Sequence, residues 1–438
     1  MPLCRLVAAC AGALCAQILA SAAFAQAVPT PAPAVTTPMP ARVRSASPAP
    51  AASPAASPSP SATPFKLITL TGSADAGYTT IGLTNAARFV NAVPSNGAPS
   101  RIFDVSTGPF FDANGGRLLA LANDFNNVPT VQNANLQLTL NGSVISGKIE
   151  SSFGTDADVM ASNGQSRSSI NLTQAYVQAV GGSVTFLLGK FSTLAGAEVI
   201  EAPGNTNYSR SYLFGEAVPF THTGVRATYA VNSKVSVVAG INNGWDDWKF
   251  AGKKKTIEGA ILLTPSPGYA LNLQTYNGND LAINGNSAAG VLPTFTNRML
   301  YDAVLTIHPT SLLTLVANYD NGTQLADATG AFGTSHWNGI AGYLNYQFRP
   351  QYGLSLRGET FHDIRGFHTG IAQRLQSNTA TVNYAPGSTY LFRLEYRLDA
   401  ADGNNFTFRD AGLDPIAKAP NGRNHQSSLG IETVIKFP

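Results

Sequence analysis

The sequence reads Tyr390-Leu391-Phe392-Arg393-Leu394-Glu395-Tyr396-Arg397-Leu398 near its C-terminal end, with a large apolar side chain at every even position. The odd positions from 393 to 397 carry arginine, glutamate and arginine. Successive side chains of a β-strand point to opposite faces, so this stretch predicts a strand with one apolar and one charged face. A soluble sandwich would bury the apolar face in a core. A transmembrane barrel exposes that face to lipid and turns the charged face into its lumen.

The same two-residue period recurs along the chain, for example in 134–140, 301–307 and 429–437. Together with the intervening turn residues it predicts strands at 67–78, 131–140, 143–154, 170–180, 183–191, 222–231, 234–243, 256–264, 269–277, 299–308, 311–320, 336–348, 352–361, 373–384, 388–397 and 425–437. Short turns such as Asn141-Gly142 alternate with long connections, as in barrels with short periplasmic turns and long extracellular loops. The sequence therefore predicts an all-β fold, a single transmembrane antiparallel β-barrel of about sixteen strands. A soluble all-β sandwich or solenoid is the alternative.

The composition excludes two other classes of protein. Charged residues make up 12% of the chain, about half of their usual share in a soluble protein. Beyond the N-terminus no run of eighteen apolar residues occurs, which excludes a bundle of transmembrane helices. Three of the 28 basic residues, Arg5, Arg42 and Arg44, precede residue 65, which leaves 25 basic against 25 acidic residues in the rest of the chain. This balance gives no electrostatic footprint for nucleic acid.

The N-terminal part predicts two segments ahead of the barrel. A positive Arg5, an apolar core and the sequence Ala23-Phe24-Ala25 predict a secretory signal peptide over 1–25, cleaved after Ala25. A lipoprotein box ending at Cys10 and an uncleaved anchor are the alternatives. Residues 26–64 are rich in proline, alanine and serine and predict a disordered periplasmic linker. The barrel then occupies 65–438. All three cysteines lie in the signal peptide, so the mature chain has neither a disulfide nor a thiol nucleophile.

The sequence lacks two common motifs of hydrolytic enzymes. No G-x-S-x-G nucleophile elbow and no H-E-x-x-H zinc motif occurs in the chain. His362 and Asp363 are adjacent in a long connection, and they keep a barrel hydrolase as an alternative to be tested. We predict that the chain is not an enzyme and that it needs no cofactor and no metal.

The central third of the chain carries a series of short motifs in a fixed order. They are Gln174-Ala175-Tyr176-Val177, Gly189-Lys190-Phe191, Gly196-Ala197-Glu198-Val199-Ile200-Glu201, Asn207-Tyr208-Ser209-Arg210-Ser211-Tyr212-Leu213-Phe214, Val218-Pro219-Phe220-Thr221-His222-Thr223-Gly224-Val225-Arg226 and Asn243-Gly244-Trp245-Asp246. This series resembles the β-barrel porin type 2 (OmpL-like) family of Gram-negative outer-membrane proteins, most densely between 170 and 250. The resemblance implies an outer-membrane barrel and a channel. It implies no defined substrate.

The connection from 192 to 221, called here the 192–221 loop, is the first candidate site. It carries four charged residues, Glu198, Glu201, Arg210 and Glu216, among aromatic ones. A long loop without regular structure is usually functional or disordered, and aromatic content argues against disorder. We predict that this loop folds into the lumen and narrows the pore. A loop packed over the outer rim of the barrel is the alternative.

Charged residues on the predicted lumen face form the second candidate group. They are Lys148, Glu150, Arg226, Glu258, Arg357, Glu359, Arg393, Glu395, Arg397, Glu432 and Lys436. If they line an open pore, their mixed signs predict weak ion selectivity. The alternative is that they only solvate and stiffen the barrel wall.

The expected function is a passive channel for small hydrophilic solutes or ions across the outer membrane. The alternative is a non-conducting barrel that acts in surface binding, adhesion or structure through the loops 79–130 and 398–424. Expected partners are outer-membrane lipid and lipopolysaccharide, small solutes or ions, and the outer-membrane assembly machinery through the terminal strand with Phe437 and Pro438. A homo-oligomer is left open by the sequence.

Overall fold

A closed β-barrel is the fold of the computed structural model, which describes residues 68–81, 87–89, 129–162, 165, 168–249, 254–283, 294–326, 333–368, 372–402, 406–408 and 425–437. Its strands are β1 Ile68–Ile81, β2 Ala87–Phe89, β3 Thr130–Val131, β4 Ala134–Leu140, β5 Ile145–Phe153, β6 Ile170–Gly181, β7 Val184–Ser192, β8 Thr221–Asn232, β9 Val235–Asn242, β10 Thr256–Ser266, β11 Tyr269–Ile283, β12 Thr294–Thr310, β13 Leu313–Gln324, β14 Ser335–Arg349, β15 Tyr352–Asp363, β16 Gln373–Tyr384, β17 Tyr390–Ala401, β18 Phe406–Phe408 and β19 His425–Phe437. The helical segments are α1 Thr155–Val159, a 3-10 turn Ala202–Gly204 and a π-helical turn Leu213–Ala217.

Each barrel strand pairs antiparallel with its neighbour in the sequence, and the first strand pairs with the last. β3 and β4 both pair with β1 and together act as one strand interrupted at 132–133. β2 pairs with β18 in a separate ribbon. Sixteen strand positions therefore close the barrel, as the sequence predicts. Among the described residues, no helix is both long enough and apolar enough to cross a membrane.

The two faces of the barrel wall differ as the alternating pattern predicts. Leu394 on β17 is 48% exposed on the outside, while Arg397, three residues further along the same strand, is 1% exposed on the inside. Aromatic rings stack along the outside near the short turns, with Tyr352 and Tyr384 at 4.7 Å between ring centroids. Such rings form the aromatic girdle of an outer-membrane barrel, and the apolar band between girdles contacts lipid.

Several features of the fold were not predicted. The predicted strand 131–140 is broken because the Asn133 backbone N–H turns inward and donates to the Asp75 carboxylate. Strands reach further than expected towards the long loops, so that β11 continues to Ile283 and β12 begins at Thr294. The predicted signal peptide and linker, 1–64, lie outside the described residues, as do most of the loops 79–130 and 398–424.

Candidate functional site

The 192–221 loop connects β7 to β8, and hydrogen bonds to β11, β12 and β13 hold its first residues. The hydroxyl groups of Thr193 and Tyr276 are 3.1 Å apart. The Gly196 N–H donates to Asp302 Oδ2 at 3.2 Å. The Ala197 N–H donates to Asn318 Oδ1 at 3.0 Å. Asp302 and Asn318 are among the buried polar side chains on the inside of the wall, so the loop turns inward directly after β7.

The middle of the loop reaches β17, on the far side of the barrel from β7 and β8. The backbone N–H groups of Tyr208 and Ser209 donate to the two oxygens of the Glu395 carboxylate at 2.7 and 3.0 Å. Thr381 on β16 donates to the same carboxylate at 2.7 Å. Hydrogen bonds to a charged group contribute roughly 1.5–3 kcal/mol each. Glu395 is therefore a strong anchor between the loop and the opposite wall.

Three arginines on β15 and β17 hold the irregular backbone of the loop. Arg357 donates to the Ser209 carbonyl at 2.6 Å, and Arg397 donates to the Arg210 carbonyl at 2.7 Å. Arg393 donates to the Ala202 carbonyl at 3.2 Å. Buried carbonyls outside regular structure need such donors, and the planar guanidinium offers five N–H bonds for this purpose.

Two carboxylates complete this contact. Glu198 in the loop accepts from Arg357 Nη1 at 2.8 Å and from the Ser211 N–H at 2.7 Å. Glu359 on β15 accepts from the Tyr212 N–H at 2.6 Å. The network therefore combines opposite charges with backbone dipoles. Removal of one partner from a buried ion pair of this kind costs about 3–5 kcal/mol.

An apolar cluster lies beside the polar network. Leu213 and Phe214 of the π-helical turn belong to a buried cluster with Trp337 and Phe361 of the barrel wall. The Trp337 indole N–H donates to the Ala217 carbonyl at 3.2 Å. This cluster is unusual for a barrel interior, which is polar where it holds water. The 192–221 loop thus has a small hydrophobic core of its own against the wall.

Six charged wall residues form three ion pairs with one another. Lys148 Nζ lies 2.5 Å from Glu150, Arg226 Nε lies 2.6 Å from Glu258, and Arg393 Nη1 lies 2.6 Å from Glu432. Lys436 is half-buried near the short turns.

Glu201 of the loop packs near the Lys148–Glu150 pair. Burial, and then the neighbouring carboxylate of Glu150, raise the pKa of Glu201 to about 8. Glu201 therefore keeps its proton at neutral pH in this position.

Of the four loop residues proposed for a constriction, Glu198 contacts the opposite wall and Glu201 contacts β5. Arg210 instead holds the loop together, since its guanidinium donates to the carbonyls of Val199, Ile200 and Tyr208 at 3.0–3.2 Å. Glu216 is buried within the π-helical turn. A role of these residues in a pore stays a prediction.

The predicted lumen face contains the charged side chains expected there, and most of them are buried rather than open to solvent. No sequence motif marks Tyr276, Asp302, Asp320 or Trp337 as site residues. The two-residue alternation assigns Asp302 to the inner face. Its contacts become visible only in the folded barrel, where Asp302 lies opposite Asp320 on β13 and accepts the Gly196 N–H.

This architecture, a sixteen-strand barrel with an apolar outside and a charged inside, defines an outer-membrane protein of the porin class. The model of the family described as beta-barrel porin-2, OmpL-like matches residues 104–437. The chain belongs to this family, and its location is the outer membrane.

Solved structures share the fold. The outer membrane channel DcaP of Acinetobacter baumannii superimposes with a TM-score of 0.52 at 13% identity, covering 84% of this chain and 97% of that one. A loop-deletion mutant of OmpT, an outer membrane protein of Vibrio cholerae, gives 0.51 at 11% identity, covering 85% and 99%. At these identities the similarity concerns the fold alone. A comparison with curated proteins finds no match by sequence.

Proposed function

We propose that this protein is a passive channel for small hydrophilic solutes or ions, and that the 192–221 loop narrows its lumen. The proposal assigns no catalytic activity to the chain. The observation that carries it is the pair of hydrogen bonds from the Tyr208 and Ser209 N–H groups to Glu395 on the far side of the barrel. A loop that is bonded to both walls leaves less cross-section for solutes and presents fixed charges to them. Membership in a porin family supports the same function.

A barrel that does not conduct at rest is the second candidate. Dense burial of inward side chains around the barrel favours it, including Glu150, Glu258 and Arg357, each at most 2% exposed. In that case the chain serves surface binding or structure, or it opens only when the loop moves. Outer-membrane lipid is its neighbour in either case.

Single-channel conductance of the refolded mature protein in a planar bilayer tests the proposal, beside a variant that lacks residues 196–216. Steady openings of the wild type that enlarge on deletion support a channel narrowed by the loop. Openings that appear only after deletion support the closed barrel. Silence from both proteins, with folding confirmed by heat-modifiable electrophoretic mobility, contradicts the channel.

A point substitution tests the role of the loop without removing it. Glu395→Gln removes the charge that holds Tyr208 and Ser209, so we expect larger or noisier openings than in the wild type. Glu258→Gln is the matched control, because Glu258 is a buried wall carboxylate that pairs with Arg226 and Asn242 rather than with the middle of the loop. Equal conductance of the two variants would argue against anchoring through Glu395.

A further inference from the structure

Three side chains with oxygen atoms form a row across β11, β12 and β13 on the inside of the wall. Gln274 lies directly opposite Asp302, and Asp302 lies directly opposite Asp320. Directly opposite residues on neighbouring strands have Cβ atoms about 4.5–5.5 Å apart. Their side chains are 4%, 3% and 0% exposed in this order. The row is therefore a compact buried cluster at the level where the 192–221 loop leaves the wall.

The two carboxyl groups in this row have no cationic partner among the described residues. They lie within hydrogen-bonding reach of each other. Asn318 Nδ2 donates to Asp302 at 2.8 Å and to Asp320 at 3.3 Å. Apart from a proton shared between the two carboxyl groups, the second oxygens, Asp302 Oδ1 and Asp320 Oδ1, have no hydrogen-bond donor among the described residues. Elsewhere in the wall the pattern differs, since Glu258 is paired with Arg226.

Gln274 supplies an independent observation. Neither its Oε1 nor its Nε2 has a hydrogen-bond partner in the part of the chain that the structure describes, although the side chain is almost fully buried. Buried amide groups in proteins nearly always have a partner. The Gln274 carboxamide lies beside Oδ1 of Asp302 and Oδ1 of Asp320, which, the shared proton aside, also have no donor group nearby within the described ranges. This arrangement is expected of side chains that bind one common ligand.

A hard cation is the partner that suits these atoms. Calcium binds carboxylate and carboxamide oxygens in a flexible geometry and completes its shell with water. We propose that Asp302, Asp320 and Gln274 form a binding site for a divalent cation of the calcium type. The site does not depend on whether the barrel conducts.

The bound cation would also fix the start of the 192–221 loop. Asp302 accepts the Gly196 N–H through Oδ2 and keeps Oδ1 for the metal. The amide of Asn318 joins the same group to Ala197. Neutralisation of the two carboxylates by a metal removes their mutual repulsion and so holds the loop base on β12 and β13. A proton shared between the carboxyls is the competing way to remove that repulsion.

Terbium and calcium binding to the refolded, chelator-stripped mature protein tests the site. Terbium luminescence excited through tyrosine reports occupancy, because the buried Tyr276 lies two residues from Gln274 on the same strand. Calcium should displace the terbium and raise the unfolding temperature of the barrel.

The double variant Asp302→Asn/Asp320→Asn should lose both the terbium luminescence and the stabilisation by calcium. Gln274→Leu should weaken binding by about tenfold, within the range seen when metal sites lose a supporting group.

Two further variants separate the metal from a shared proton. Gln274→Glu adds a third carboxylate and should tighten calcium binding, whereas it would destabilise a proton-sharing pair without creating affinity. Asp402→Asn changes an exposed aspartate and serves as the control. Circular dichroism and heat-modifiable mobility confirm that each variant folds. Equal terbium and calcium binding in the wild type and Asp302→Asn/Asp320→Asn overturns the proposal.

Discussion

Glu201 contacts the carboxyl group of Glu150, with Lys148 as the nearby cation. In a released loop the Glu201 carboxyl would titrate near its ordinary pKa of 4.5, whereas burial and the repulsion by Glu150 raise the pKa in the packed loop to about 8. Between these values the released state gives up a proton that the packed state keeps. The packed state therefore loses stability as the pH rises from about 4.5 to about 8, and it loses no more above that range.

We predict that the 192–221 loop is released more readily as the pH rises through this window. Limited proteolysis of the loop, or the frequency of large openings in a bilayer, should increase from about pH 5 to about pH 8 in the wild type, the range between the ordinary and the raised pKa of Glu201. Glu201→Gln cannot ionise, so its response should be nearly flat over the same range. If Glu201→Gln keeps the full pH dependence of the wild type, another group controls the loop.

The π-helical turn Leu213–Ala217 depends on close approach to β14. A Cβ atom added at Gly339 would lie 2.7 Å from Leu213 Cδ1 and 2.8 Å from the Thr360 carbonyl oxygen. We predict that Gly339→Ala pushes the turn off the wall and lowers stability by about 1–3 kcal/mol, the usual cost of overpacking. Thermal unfolding measures the loss.

Gly259→Ala is the control, because a Cβ there would meet Thr275 at an ordinary 3.5 Å. Equal unfolding temperatures of the two variants would contradict close packing of the turn.

Strand positions could be predicted because the two-residue period and the turn residues are local signals. All sixteen predicted strands occur, and 373–384 matches β16 at both ends. On the side of the long loops, some predicted strands end too early, because polar residues occupy both faces of the strand there. In β11 the sequence Asn277-Gly278-Asn279-Asp280 continues the strand without an apolar side chain. No alternation marks that part, so only its pairing with β12 reveals it.

The path of the 192–221 loop could not be predicted in the same way. Alternation assigns Arg397 to the inner face, and its side chain is 1% exposed. It gives no sign that its partner is the Arg210 carbonyl, 187 positions away. The break in the strand at 132–133 has the same origin, since the Asp75 carboxylate that accepts the Asn133 N–H lies on another strand. Such contacts depend on the closed barrel, and no short stretch of sequence encodes them.

At the scale of the whole barrel, charge is nearly balanced. The chain from residue 65 has equal numbers of basic and acidic residues, and the wall charges that lie under the loop are paired, as in Arg357 with Glu198 and Arg393 with Glu432. A channel with paired charges has little net potential in its lumen and therefore selects weakly between ions. The 192–221 loop contributes to this balance, because most of its own charges are negative.

Removal of the loop should shift the channel towards anions. Deletion of residues 196–216 takes away Glu198, Glu216 and Arg210, together with Glu201, which is protonated at neutral pH. The lumen therefore loses more negative than positive charge, while the arginines of β15 and β17 become accessible. In a KCl gradient, the reversal potential of the deletion variant should lie closer to the equilibrium potential of chloride than the reversal potential of any wild-type openings does. Addition of Arg357→Gln to the deletion variant should reverse part of that shift, because it removes one of the newly exposed cations. A shift towards potassium after deletion would mean that the β15–β17 arginines do not face the conducting path, and that ions pass along another part of the wall.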